Sequence, residues 1–200
     1  MGISSDNYCE EKYLLNTSES IPVDKLKIVL EQSEKCICRI LCENENSGTG
    51  FLCLIPFPDK LNLLPVLMTN YHVLNDLYKE KNIEFTLNND KLKVKLKIDN
   101  SRKIYENENY DIIMVEIIEK DNLDFNSFLE IDDEIFKENS IDLYRKASIY
   151  VIYYPGKYRA EFSTGIIEDI NQNGYIIQHK CSTKFGASGC PIIIQIIIGL

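Results

Sequence analysis

The sequence has no basic block. Its 200 residues carry a formal net charge of −9, with 22 Lys and Arg against 31 Asp and Glu, and the cations are scattered. Phosphate binding needs a concentrated positive footprint, so neither nucleic acid nor an anionic membrane is expected as a partner. No apolar run is long enough to span a bilayer. No positively charged start leads into an apolar stretch, so no secretory signal is visible. Asp6 stands where a myristoylation signal requires Ser or Thr. Cys36, Cys38, Cys42 and Cys53 fit none of the usual zinc spacings and have no histidine near them. They read as small buried apolar groups, and neither a metal nor a cofactor is expected. Together these absences describe a soluble, intracellular and cytoplasmic protein with reduced thiols.

Hydrophobic residues make up 44% of the chain, enough for the core of one domain or two small ones. Residues 1–32 read as a polar tail followed by a short helix from Pro22 to Gln32. Val23, Leu26, Val29 and Leu30 form that helix's apolar stripe. From Ser33 the period changes to two. Strands are expected at Lys35–Glu43, Gly48–Pro56, Leu64–Thr69 and Glu84–Leu87. The clearest alternation follows: Leu92, Val94, Leu96 and Ile98 between Lys91, Lys93, Lys95 and Lys97, one apolar face and one wet face. Asp99–Asn109 reads as a polar loop, and residues 75–81 as one helical turn at most. Tyr110–Ile118 is apolar on both faces and reads as a buried strand with an acid, Asp111, near its start. Glu119–Arg145 is acidic and poorly periodic, a connection between halves. Further strands are expected at Ala147–Tyr154, Ala160–Ile170, Tyr175–His179 and Pro191–Ile194. The class is all-β, a barrel or sandwich.

Within this frame Gly186-Ala187-Ser188-Gly189 places one hydroxyl between two glycines. Such a turn can present a nucleophile beside free backbone N–H groups, which acyl transfer requires. It is equally an ordinary tight turn. Serine is a poor nucleophile without a base, and only two histidines exist, His72 and His179. His72 ends a predicted strand; a histidine there is more often a surface group. Asp111 opens a strand; an acid there more often caps a turn. Asp99, Asp121 and Asp124 are competing acids in loops.

Four segments taken together, Gly48-Thr49-Gly50-Phe51, Leu67–Leu74, Tyr110–Val115 and Gly186–Pro191, resemble trypsin-like serine proteases, in particular the intracellular or HtrA-like branch of the chymotrypsin fold. The order His72, Asp111, Ser188 and the intervals of 39 and 77 residues match that family. The resemblance covers about Ser33 to Ile194. It implies two packed antiparallel β-barrels, with residues 33–125 as the first and residues 126–200 as linker and second. It implies a catalytic triad of His72, Asp111 and Ser188, an oxyanion hole from the N–H groups of Gly186 and Ser188, and a substrate pocket at Ser182 and Thr183. Its substrate would be a protein or peptide. Ser182 is uncharged, which argues against a strict Arg or Lys preference.

The sequence also departs from that family. Ala187 replaces the aspartate that pairs with a newly cut N-terminus in secreted zymogens, so activity without N-terminal cleavage is expected. Val73 stands where secreted members place a disulfide cysteine. Only twelve residues follow Ser188, and Pro191–Leu200 is nearly all apolar and β-branched. The second barrel is therefore expected to be incomplete, with an open edge beside Pro191–Leu200 and a pocket lacking one wall. Two rival readings remain: a catalytically silent protease-like domain that binds proteins, and a generic β-barrel interaction module.

Overall fold

The computed structural model describes residues 20–42, 47–74, 82–137, 141–171 and 176–195. A 3-10 turn at Val23–Lys25 leads into helix α1, Leu26–Lys35. Strands β1 (Ile37–Leu41), β2 (Ser47–Pro56) and β3 (Leu63–Thr69) follow, then a single helical turn, α2 (Tyr71–Leu74). Strands β4 (Asn82–Leu87), β5 (Leu92–Lys97), β6 (Ile104–Asn107) and β7 (Ile112–Glu116) complete the first half. The acidic segment carries 3-10 turns and β8, Leu129–Glu130, before the short helix α3, Ile141–Tyr144. The second half holds β9 (Ser148–Tyr153), β10 (Glu161–Ile170), β11 (Ile177–His179) and β12 (Ile192–Ile194).

The first sheet runs β5-β4-β1-β2-β3-β7-β6, with β8 added parallel to β2. It is curled but open, a half-barrel. The second sheet runs β11-β10-β9-β12 and is neither closed nor strongly curled. The protein is thus predominantly β as expected, but two complete barrels are not formed by the described residues. Among them β12 pairs with β9 alone. The part of the open-edge expectation that falls on Ile196–Leu200 lies outside the described residues, as does the turn expected at residues 75–81.

Period-two patterning explains how the halves join. On β2, Leu52 faces the core inside the curl, with Ile40, Leu67, Phe85, Leu96 and Ile113. Its neighbours Phe51 and Cys53 face the other way, against Tyr150, Ile152 and Tyr154 of the second half. Strand β9 repeats the device: Ile149, Val151 and Tyr153 pack with Ile167 and Ile170 in a third cluster. Both strands are therefore apolar on both faces because each separates two cores. The Lys93 and Lys95 side chains do lie on the wet face, where both pair with Glu84.

Two sequence expectations are refined. The polar loop expected at Asp99–Asn109 contains β6, a short edge strand on β7. The buried thiols are apolar packing groups, as read from their spacing: burial pushes Cys36 up to about 11 and Cys53 up to about 12.

Candidate active site

Strand β3 ends at Thr69, and the chain turns into α2, so His72 leaves the sheet on a one-turn helix. Across from it, β6 turns into β7 through a tight corner whose last residue, Asp111, has a left-handed backbone (φ 50°). Aspartate tolerates that conformation better than most residues. The corner is closed by Asp111 N donating to Glu108 O at 3.1 Å. In this pose the Asp111 carbonyl accepts from Tyr71 N at 3.1 Å and from Asn70 Nδ2 at 2.8 Å.

The Asp111 carboxylate grips the same turn twice more. Oδ1 accepts from His72 N at 2.9 Å, and Oδ2 lies 2.7 Å from His72 Nδ1. A carboxylate at that distance assigns the ring proton to Nδ1 and leaves Nε2 as an acceptor. Both side chains are about half exposed, 57% for His72 and 43% for Asp111. The acid is therefore less buried than the strand pattern suggested.

The competing acids are committed elsewhere. Asp121 pairs with Arg102 through two contacts, 2.8 and 3.0 Å, with both side chains almost fully buried. Asp99 accepts from Ser101, and Asp124 caps the 3-10 turn at Phe125–Ser127 by accepting from Asn126 N.

Ser188 lies in the loop between β11 and β12, half-buried, flanked by Gly186 (φ 96°) and Gly189 (φ 85°). Both glycines are required twice over. Their backbone is left-handed, and a Cβ at Gly189 would collide with Thr49 O and Thr69 Oγ1, while one at Gly186 would collide with Tyr154 O and Gly156 N. The Gly189 contact matters because Thr69 and Asn70 belong to the corner that carries His72. The fold thus brings the glycine loop against the His72–Asp111 corner. Inside the loop, Ala187 N donates to Lys184 O and Cys190 N donates to Ala187 O. Among the described residues, Gly186 N and Ser188 N donate to no protein acceptor, and no hydrogen bond joins the Ser188 hydroxyl to His72.

A family model described as trypsin-like peptidase domain matches residues 48–195. The chain belongs to that family. No curated protein matches it in sequence. Among solved structures it is similar to Deg5, with a TM-score of 0.59 at 18% identity over 88% of this chain and 83% of that one. It is also similar to a serine endoprotease from Yersinia pestis, with a TM-score of 0.56 at 16% identity over 88% of this chain and 55% of that one. At these identities the likeness is one of fold.

In this trypsin-like domain the residues expected at a substrate pocket, Ser182 and Thr183, are exposed. Ser182 N donates to Ser163 Oγ at 2.9 Å, which ties that segment to β10. Beside it, Lys184 pairs with Glu161, which also accepts from the Tyr153 hydroxyl; these two bonds hold the Glu161 carboxyl below the usual range. His179 turns back on its own chain, its Nδ1 accepting from Cys181 N at 3.1 Å. One residue that sequence reasoning passed over is Thr49, quoted there only as part of a glycine motif. It is fully buried and bonded to the glycine loop, at Gly186 O and Ser188 O. The sequence shows its place between two glycines, but neither its burial nor its partners.

Proposed function

We propose that the chain is a serine endopeptidase acting through His72, Asp111 and Ser188. The observation that carries this is the double grip of Asp111 on His72, at the ring and at the backbone, beside a loop whose Gly186 and Ser188 N–H groups have no protein acceptor among the described residues. Ser188 Oγ attacks the scissile carbonyl carbon as His72 Nε2 takes its proton. The Asp111 carboxylate holds the tautomer and stabilises the imidazolium. The new oxyanion is received by Gly186 N–H and Ser188 N–H. The tetrahedral intermediate collapses, His72 gives its proton to the leaving amine, and water then repeats the sequence on the acyl-enzyme. In this reading the two sheets are the counterparts of two barrels, the substrate is a protein or peptide, and Ser182 and Thr183 border its pocket. An intracellular, cytoplasmic place of action belongs to the same reading, supported by the buried reduced thiols Cys36, Cys38 and Cys53.

A second reading, a silent protease-like domain that binds proteins, is favoured by one observation. No hydrogen bond joins Ser188 to His72 among the described residues. Catalytic hydrogen bonds are often loose before substrate arrives, so this does not displace the first reading. Cleavage of an unfolded protein such as reduced casein decides between them. The peptidase reading expects fragmentation that Ser188→Ala abolishes. Casein left intact but retained by both forms establishes the second.

A further inference from the structure

Thr49 sits near the start of β2, in the first sheet, yet every hydrogen bond it makes toward the second half lands on the strand end or loop that frame Ser188. Its N–H donates to Ser188 O at 2.9 Å. Its hydroxyl donates to Gly186 O at 2.7 Å and accepts from Tyr154 N at 2.9 Å. Its own carbonyl accepts from Thr69 Oγ1 at 2.7 Å, which pins it to the strand end that carries the His72 turn. The side chain is fully buried, so its one proton and its acceptor lone pair are both committed to protein partners.

Peptide units are planar, so fixing a carbonyl fixes the N–H of the next residue. Gly186 O belongs to the unit ending in Ala187 N, and Ser188 O to the unit ending in Gly189 N. Thr49 therefore holds the two units on either side of the one that carries Ser188 N–H. It also holds the neighbour of the unit that carries Gly186 N–H. We propose that Thr49 is a positioning residue for the oxyanion-binding loop, a clamp from the first sheet that aims the Ser188 and Gly186 N–H groups. This rests on the peptidase reading for its kinetic consequence but not for its structural one.

The contrast with plain inter-sheet adhesion is available in the same strand. Ser47 Oγ donates to Gly156 O at 2.7 Å, linking the halves without a hydrogen bond to any residue of the 186–189 loop. Thr49→Val keeps the shape and the N–H but leaves Gly186 O and Tyr154 N unpaired. Losing one oxyanion donor costs on the order of 10²–10³ in kcat, and misplacing one costs up to about 10². Thr49→Val is therefore expected to lower kcat by about 10- to 100-fold while KM stays within about threefold. Thr49→Ser, which restores the hydroxyl, and Ser47→Ala should both keep wild-type kcat. In parallel, hydrogen exchange at the Ala187 and Cys190 amides should quicken about tenfold in Thr49→Val and stay at the wild-type rate in the other two. Exchange needs no turnover, so a wild type that cleaves nothing defeats the peptidase reading while exchange alone still decides the clamp. If Thr49→Val does not fold, Thr69→Val, which frees Thr49 O, must show a loss in kcat and a loosening of the same two amides, each smaller, on the order of threefold to tenfold. Unchanged kcat and unchanged exchange in whichever variant folds, with only a lower melting temperature, would overturn the proposal.

Discussion

The two halves of the molecule hold their share of the candidate site by different means. The first sheet encloses its own core, and it carries His72 and Asp111 at adjoining corners bolted together by four hydrogen bonds. The second sheet has four strands, and among the described residues its β12 edge pairs on one side only. Its loop at 186–189 has few internal bonds and leans on Thr49 and Thr69 across the junction. A base needs a fixed partner, and a closed corner supplies one. A nucleophile loop needs free N–H groups, and N–H groups cannot be both free and self-bonded. On the proposed reading, the half whose donors stay unpaired for the oxyanion is held from outside.

The sharpest way to break this contrast is at the corner. Asp111→Asn should lower turnover on the order of 10⁴-fold, because an amide cannot hold the Nδ1 proton as a carboxylate does. Peptide hydrolysis by the purified variant reads this directly, and a loss under tenfold would remove Asp111 from the mechanism.

The next effect is on stability. Phe85→Ala, in the core inside the curl, should cost about 3–5 kcal/mol by urea unfolding. Ile193→Ala, half-buried on β12, should cost only about 1 kcal/mol. Equal losses would mean that the second sheet is as tightly determined as the first.

The smallest effect sharpens the account of the first sheet's rim. Glu116 accepts from Lys103 N and from Lys103 Nζ, both at 2.8 Å. Burial pushes its carboxyl up, but these bonds and the charges of Lys103 and Arg102 outweigh it, and the net shift is downward. A folded value below the unfolded one stabilises above the unfolded value, near 4.5, and is lost as pH falls through the folded value. Glu116→Gln should thus cost about 1 kcal/mol at neutral pH, with the gap to wild type closing as the pH falls below the unfolded value. A gap that does not change with pH would assign the loss to packing.

Much of this was legible in the sequence, and the parts that were not share a cause. The Leu92–Lys97 alternation announces its strand because one face is wet and the other packed. Tyr110–Ile118 announces a buried strand because both faces are apolar. Strand β6 is silent: Ile104-Tyr105-Glu106-Asn107 has no alternation, and among the described residues it pairs with β7 alone. Strand β8 is silent because two residues in an acidic segment carry no period. Neither the curl of the first sheet nor its failure to close leaves a periodic trace, since both follow from pairings far apart in the chain. At the site, it was the resemblance of four segments to trypsin-like proteases that pointed to His72, Asp111 and Ser188. The bonds that join Asp111 to the Asn70–His72 turn, and those from Thr49 to Gly186 and Ser188, are relations between distant segments. Composition and period cannot express them.

In the proposed enzyme the first sheet delivers His72 as base to Ser188, the nucleophile held in the second. A fluorophosphonate reacts with a serine hydroxyl only when such a base is in place. Mass measurement of the treated protein, followed by mapping of the modified peptide, tests this most directly. One adduct per chain is expected, located on Ser188, absent from Ser188→Ala and at least about 10³-fold slower to form in His72→Ala. A wild-type chain that takes up no adduct, or takes it up equally fast without His72, would contradict it.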